Sequence, residues 1–452
     1  MQSIALSRSL FGCIRISATR AALLVGTLLL AVNGAAQQTG NSQQPGSNSE
    51  LASMAEHAGV LASLRELVQE AEQKNPQIAA SFHAWQASRN VPKQASALPE
   101  TQLAVQQFSV GSPRPFAGYS NSDFAYIGFG ASQDIPYPGK RELRARVAEH
   151  EADSIEAQVD SVRSRLLGNL KMVYFRLAYI QQTLSVLQKS DELLNQVQQA
   201  TEARYRVGQG NQQDVLKAQL QHTKILQEIA HHHQEEGLLE AQIKQLLGRP
   251  QESADIVAET LTVRSLPYTA ADLRKRARDQ NPDVRSKGAS IWQQETRVEL
   301  AHKNFRPDFN VQYTYEHTGS QARDYYMATF GIRLPNRGRQ KAELAEAQQN
   351  QERAQQELEA ESQRVFSEVQ QQYVRAKTSE ERLKIYSDGL VPQSEAAFRS
   401  ALSAYQSNRQ DFESLLSSFL DVLNLDLEYR SELVDHESAL AELERLAGVS
   451  LP

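Results

Sequence analysis

The chain has 452 residues, a formal net charge of −6 and a single cysteine, Cys13. This length would accommodate two or three ordinary domains. The acidic balance argues against nucleic acid as a partner, and the cysteine usage excludes disulfides, a thiol nucleophile and cysteine metal ligands after position 13.

The first 36 residues have the pattern of a secretory signal peptide. Three arginines precede an apolar run over 21–32, and small residues at 34–36 offer a cleavage site. Loss of this segment removes three arginines and no acidic residue, which leaves a net charge of about −9. Residues 37–58 are rich in Gln, Asn, Ser and Gly, so we expect a flexible leader there.

A first structural repeat is predicted over residues 59–247. Apolar residues recur in steps of three and four along its longest helix. At about 1.5 Å per residue that helix would span on the order of 95 Å, which a compact enzyme does not need. The predicted elements are a helix over 61–91, strands at 101–110 and 124–134, a long helix over 139–203 and a helix over 211–247.

Residues 269–446 repeat this plan, which indicates duplication of a whole unit. An Asn-Pro pair at 75–76, for example, recurs at 281–282. Between the repeats, residues 248–268 contain two prolines and weak periodicity, and a linker is predicted. The elements of the second repeat are a first helix, strands at 308–316 and 325–334, a long helix over 339–404 and a helix over 411–446.

Helix lengths suggest how each repeat is built. The helix before the strands and the helix that closes the repeat each have about 30 to 37 residues, and the long helix has about 65. Two short helices placed end to end therefore match one long helix. We expect each repeat to form one lengthwise section, two helices thick, of the wall of a tall cylinder.

The strands have one apolar and one polar face. Phe309, Val311, Tyr313 and Tyr315 alternate with polar residues, and the strand at 325–334 alternates likewise. Strands of about nine to eleven residues with this pattern are typical of transmembrane β-barrels. The alternative is a soluble antiparallel sheet with one face in water.

Four strands cannot close a barrel, because backbone groups left unpaired in lipid cost several kcal/mol each. Two copies of the chain would supply eight strands and a filled interior, whereas three would supply twelve and an open lumen. Polar residues such as Gln312 and Glu316 on the inner face favour three copies.

The sequence also carries a resemblance to a known family. The duplicated plan, the stretch YRVGQGNQQDVLKA at 205–218 and its counterpart at 405–416 resemble the TolC outer-membrane efflux family, and IPYPGKR at 135–141 is closer to its heavy-metal branch. The resemblance implies mixed α and transmembrane β structure: a long α-helical coiled-coil barrel plus four strands per protomer in a shared 12-stranded trimeric β-barrel.

The resemblance also implies a set of partners. They are two further copies in a homotrimer, outer-membrane lipid, a periplasmic adaptor protein and an inner-membrane pump, expected to be proton-driven. The implied location is the outer membrane, with a periplasmic helical tunnel. The alternative from another class is a stand-alone outer-membrane pore or a structural coiled-coil tether, but a tether needs no polar strand face.

No motif predicts an enzyme, a cofactor or a metal. The histidines at 231–233 invite a metal interpretation, yet consecutive residues on a helix point about 100° apart and do not converge on one ion. A solvated helix face is the better explanation. The glycine spacing of a phosphate-binding loop is absent, so the chain is not expected to power transport itself.

The helix reversals farthest from the strands are the candidate docking site. Glycine permits the left-handed backbone that a tight reversal needs. In the family the matching turns bind the adaptor's helical hairpin. The candidate contact residues are Tyr205, Val207, Gly208, Gln209, Gly210, Tyr405 and Asn408.

The resemblance also suggests a gate at these turns. Asp214 matches a family carboxylate that pairs with an arginine of the second repeat; that arginine position is Gln410 here, with Arg409 adjacent. We therefore expect Asp214 to pair with Arg409 and, together with Tyr405, to hold the resting tip shut.

Two further family positions differ in this chain. The lumenal carboxylates of the family correspond to Ser414 and Ser417. Block by cations is therefore expected to be weak unless Asp411 and Glu413 substitute for them.

Overall fold

The computed structural model describes residues 60–109, 125–318 and 324–449. The signal peptide and leader predicted over 1–36 and 37–58 lie outside these residues. Most of the described chain is helical, and none of its helices is long and apolar enough to cross a membrane.

In the first repeat, three helices precede the long strands, where one helix was predicted. Asn75 has an extended backbone, because the residue before a proline disfavours the helical region, and this separates two helices within 61–91. The elements are β1 (Val60–Ala62), α1 (Leu64–Lys74), α2 (Pro76–Ser88), α3 (Val91–Ser96), β2 (Gln102–Phe108), β3 (Tyr126–Ile135), α4 (Lys140–Arg206) and α5 (Gln212–Leu247).

The second repeat has an interrupted long helix. The helix predicted to be continuous over 339–404 is divided by a π-helical turn, Tyr386–Leu390. The elements are α6 (Ala270–Gln280), α7 (Pro282–Lys303), β5 (Asp308–Thr318), β6 (Tyr325–Arg333), α8 (Arg337–Ile385), α9 (Val391–Gln406) and α10 (Phe412–Ala447).

The linker predicted over 248–268 contains a short strand, β4 (Ile256–Ala258), which pairs in parallel with β1. The side-chain amide of Gln181 on α4 occupies the other edge of β4. It donates to Ile256 O at 2.8 Å and accepts from Ala258 N at 2.9 Å. The linker is thereby fixed to the middle of α4.

Each repeat contains a junction where one buried asparagine caps two helices. The Asn75 side chain accepts from two backbone N–H groups of the first turn of α2, at 2.8 and 3.2 Å, and donates to Leu246 O near the end of α5 at 2.7 Å. Asn281 caps α7 in the same way and donates to Leu446 O of α10 at 3.0 Å. One side chain thus satisfies free groups at two helix ends.

Glycines allow these helix ends to approach closely. Gly248 and Gly448 follow α5 and α10 with φ of 69° and 68°. A Cβ on Gly248 would lie 3.1 Å from Lys74 O, and one on Gly448 would lie 3.0 Å from Gln280 O. Accordingly α2 and α5 adjoin and both pack on α4, while α7 and α10 adjoin and both pack on α8.

The four long strands form one antiparallel sheet in the order β2-β3-β5-β6. Its register aligns side chains of like polarity across the sheet. One row consists of Val105, Phe129, Tyr315 and Tyr326, and the neighbouring row on the opposite face consists of Gln106, Gly128, Glu316 and Tyr325. Large apolar side chains of the first face are exposed, with Leu103 at 82% and Phe330 at 64%.

A buried ion pair joins the sheet to the helices. Lys140, only 3% exposed at the start of α4, donates to Asp308 Oδ1 at 2.8 Å and to Arg306 O at 2.9 Å. The same Asp308 oxygen accepts from the backbone N–H of Tyr137 at 2.8 Å. The β3–α4 connection of one repeat is thus tied to the α7–β5 connection of the other.

The hydrophobic core lies in two regions along the helices. Near the junctions, Leu170 of α4 and Val365 of α8 belong to two clusters that also include the ends of α5 and α10. Toward the turns, Leu194 of α4 and Phe419 of α10 share one further cluster, and Tyr405 and Phe412 belong to another. Long-range packing is therefore concentrated at the junctions and at the turns.

Replacement of Asn281 by alanine should lower the free energy of unfolding by about 2 kcal/mol, because a cap and a buried hydrogen bond each contribute about 1 kcal/mol. Urea unfolding followed by far-UV circular dichroism in detergent measures this. Asn90→Ala is the matched control, since Asn90 is exposed and its side chain, among the described residues, bonds only to Gln86 O; its effect should stay within about 0.5 kcal/mol. Equal effects of the two substitutions would refute the double-cap interpretation.

Candidate functional site

The two helix reversals have the same backbone hydrogen bonds. In the first, Gly208 N donates to Tyr205 O at 3.0 Å and Gln209 N donates to Arg204 O at 2.9 Å. In the second, Asn408 N donates to Tyr405 O at 3.1 Å and Arg409 N donates to Ala404 O at 2.9 Å. These bonds satisfy the last carbonyls of α4 and α9.

Both reversals use a left-handed residue at the same place. Gly208 has φ of 72° and Asn408 has φ of 57°. Asn408 is the one described residue other than glycine with a positive φ, and asparagine is among the residues that tolerate this conformation best. The next helices are capped by Asn211 and Asp411, whose side chains accept from Gln213 N and Ser414 N at 3.1 Å each.

The candidate contact residues differ in exposure between the two turns. Tyr205 is 46% exposed and Val207 is 69% exposed, whereas Tyr405 is only 6% exposed. The Tyr405 ring packs against Phe412, and its hydroxyl lies 3.1 Å from Thr201 Oγ1. The first turn therefore offers an apolar surface to solvent, and the tyrosine of the second turn is part of the core.

Arg204 connects the first repeat to the second. Its guanidinium donates to Tyr405 O at 3.0 Å and to the side-chain oxygen of Asn408, and it lies 4.5 Å from the centre of the Tyr405 ring. Three contacts to one turn, including a cation–π contact, make Arg204 the main polar link between the turns. A second link is the ion pair between Lys217 of α5 and Glu413 of α10.

The expected pair of Asp214 with Arg409 is not formed within the chain. Neither side chain makes an ion pair with any residue in the described ranges. Arg409 is exposed, and the guanidinium that reaches the second turn comes from Arg204, one turn before the reversal. On α5 the cation Lys217, three residues beyond Asp214, pairs with the second repeat instead.

The remaining gate candidates have partners other than Asp214 and Arg409. Gln410 donates to the hydroxyl of Ser414, and Asp411 caps α10. Glu413 is engaged by Lys217. Asp411 and Glu413 thus both have structural roles at the start of α10.

Three histidines on α5 lie near carboxylates, two on the same helix and one on α4. His232 and His233 each have Nδ1 near the glutamate three residues later, at 3.5 and 3.3 Å. His222 Nδ1 lies 2.6 Å from Asp191 Oδ1 on α4. Within the part of the chain that the structure describes, no group of three such side chains is arranged to hold a metal ion.

Sequence reasoning missed Thr201, Arg204 and Lys217. A signal was present: in the alignment that matches Tyr205 to Tyr405, the counterparts of these three residues are Ala401, Ala404 and Ser417. At each of these aligned positions the first repeat has a polar or charged residue and the second has a small one. This difference indicates that the first repeat supplies the side chains that link the turns. In the family pattern, by contrast, the first repeat supplies the carboxylate and the second repeat supplies the arginine.

The duplicated helices, the four-stranded sheet and the paired reversals define the fold of an outer-membrane channel. Three solved structures illustrate the similarity. VceC from Vibrio cholerae has 17% identity over 86% of this chain and 97% of its own (TM-score 0.73), and Campylobacter jejuni CmeC has 13% over 85% of each chain (0.73). Neisseria gonorrhoeae MtrE, in its open state, has 17% over 86% and 89% (0.70).

The family itself follows from the sequence profile described as outer membrane efflux protein, which matches residues 67–249 and 273–443. The chain belongs to this family, and the resemblance seen in the sequence is confirmed. No curated protein matches the sequence. The solved relatives are channels, in agreement with the expectation that the chain is not an enzyme.

Proposed function

We propose that the chain is the outer-membrane channel of a tripartite efflux system: a passive homotrimeric conduit that docks to a periplasmic adaptor and an inner-membrane pump, expected to be proton-driven. The observation that carries this proposal is the sheet with one exposed apolar face and one polar face. An exposed apolar face formed by four strands suits contact with lipid, and a polar face suits a water-filled lumen.

Shared strands support the trimer. Within the described residues β2 and β6 each pair on one side only, so the sheet has two open edges. Open edges in lipid cost several kcal/mol for each unpaired group, so further copies have to close them. Three copies supply twelve strands in the outer membrane and leave the helices as a periplasmic tunnel.

The first turn is the stronger docking surface. Tyr205 and Val207 are exposed there, and apart from the two chain neighbours of Gly208 no described residue has an atom within 4 Å of a Cβ placed on it. An apolar, open reversal at the end of a long helix pair fits the helical hairpin of an adaptor. Gln209, Gly210 and Asn408 complete the proposed contact.

The resting tip is proposed to be held shut by Arg204 and Tyr405, with Lys217 and Glu413 as a second link, instead of Asp214 and Arg409. One exposed ion pair contributes about 0 to 1 kcal/mol, which is too little for a gate. A guanidinium with two hydrogen bonds and an aromatic contact contributes more, and three symmetric copies act together.

The mature protein should be a detergent-stable trimer, because only shared strands close the sheet edges. Native mass spectrometry in detergent, with circular dichroism to confirm the β signal, measures this. A stable monomer or dimer with an intact β signal would exclude a shared barrel.

Gly208→Trp should reduce adaptor docking about tenfold or more, because a bulky side chain would occupy the open surface of the first turn. Docking is measured in cells as photo-crosslinking from a benzophenone residue at position 207. Gly208→Asn is the matched control, since asparagine occupies the same left-handed position at 408. Undiminished crosslinking in the tryptophan variant would place docking elsewhere.

Arg204→Ala should raise the resting conductance of trimers in planar bilayers well above wild type, because it removes all three contacts to the second turn. Arg206→Ala is the control: the Arg206 side chain is 77% exposed, and within the part of the chain that the structure describes it pairs only with Glu202 on its own helix. The double variant Asp214→Ala, Arg409→Ala should conduct like wild type. A leak in the double variant and none in Arg204→Ala would restore the pair expected from the sequence.

A further inference from the structure

Between the junctions and the turns, the long helix of the second repeat contains one residue more than that of the first. Near the junctions, matching residues are 199 positions apart, as for Tyr174 and Tyr373, which pack in or against equivalent clusters. At the turns, Tyr205 and Tyr405 are 200 positions apart. The buried Leu184 and Leu383 still follow the first spacing. The extra residue therefore lies between Leu383 and Tyr405.

The π-helical turn Tyr386–Leu390 accounts for that residue. The Val391 N–H donates to Tyr386 O, five residues earlier, instead of to the residue four earlier. Such a turn is a single residue inserted into an α-helix, and it is frequent at functional sites. Gly389 lies within it, and Pro392, which lacks an N–H, follows it. The corresponding part of α4 is continuous α-helix.

The turn lies between the two core regions. On its junction side, the hydroxyl of the buried Tyr386 donates to Glu428 Oε2 of α10 at 3.0 Å. At this level α10 has no buried residue between Leu423 and Glu432. Packing is thus sparse where the helix hydrogen bonding changes, and the residues on either side belong to separate clusters.

On the other side of the turn, α9 packs along α10, where the Phe398 and Phe419 rings lie 6.0 Å apart. Its polar contacts to α4 come at its far end, where Thr201 and Arg204 meet Tyr405. Helix α9 therefore has the π-helical turn at one end and the contacts of Arg204 with the second turn at the other.

We propose that the π-helical turn Tyr386–Leu390 is a hinge on which α9 moves away from α4 when the tip opens. The continuous helix of the first repeat stays straight and serves as the fixed side. Opening is therefore asymmetric between the repeats, although their turns have the same backbone. This inference rests on the proposed function, because it requires a tip that opens and closes.

Deletion of Gly389 tests the hinge directly. Removal of one residue converts the π turn to α-helix and keeps the faces of α8 and α9 in register. Gly389→Ala is the matched control: it keeps the inserted residue, φ there is not positive, and the nearest atom to the new Cβ is Gln393 Nε2 at 3.9 Å. Amide hydrogen exchange of the full-length protein in detergent reports local opening.

In wild type, amides of residues 387–391 should exchange about tenfold or more faster than those of residues 187–191, since only the former lie at a hinge, whereas a helix that moves as a rigid body keeps its own hydrogen bonds. Deletion of Gly389 should remove this difference, and Gly389→Ala should retain it. Equal exchange of the two segments in wild type overturns the proposal even if the deletion variant does not fold. A difference that persists in a folded deletion variant overturns it as well.

Conductance separates this inference from the proposed function. The leak expected for Arg204→Ala should return to the wild-type level when Gly389 is also deleted. A leak that persists after the exchange difference has disappeared would show that the hinge does not serve opening. If wild-type protein forms no pore under any condition, the channel is refuted, whereas the exchange result still decides whether the segment is hinged.

Discussion

The arrangement of the helices depends on two buried asparagines. Asn75 and Asn281 each satisfy the start of one helix and the end of another, and each joins two shorter helices into a column that matches one long helix. Without this joint, a helix end in the core would leave several backbone groups unsatisfied, at about 1 to 3 kcal/mol each. Two shorter helices can extend along one long helix only because their ends meet at these asparagines.

The sheet and the turns then occupy opposite ends of the helices. The register places rows of one polarity on each face of the sheet, whereas the turns combine an exposed first tyrosine with a buried second one. A duplicated chain would by itself give two equivalent turns. Differences at a few positions, above all Arg204 against Ala404, give the first repeat the role of donor and the second that of acceptor.

The sequence predicted those features that depend on periodicity and on special backbone positions. Alternation along Phe309 to Tyr315 indicated the faces of the sheet, and glycine at 208 indicated the left-handed reversal that the structure contains. The partner of a side chain across 200 positions is not encoded in local pattern, so the pair of Asp214 with Arg409 was assigned by family analogy. Similarly, periodicity in steps of three and four does not reveal one inserted residue, because a single π turn restores the register beyond it.

The ion pair of Lys140 with Asp308 joins residues that are 168 positions apart. In the sheet, β3 of the first repeat likewise pairs with β5 of the second. During synthesis the amino-terminal repeat is made first, yet its strands then have only each other and Lys140 has no Asp308 to pair with. Contacts of such long sequence separation form late in folding. The exposed apolar strands of the first repeat are therefore open to aggregation until the second repeat is available to pair with them.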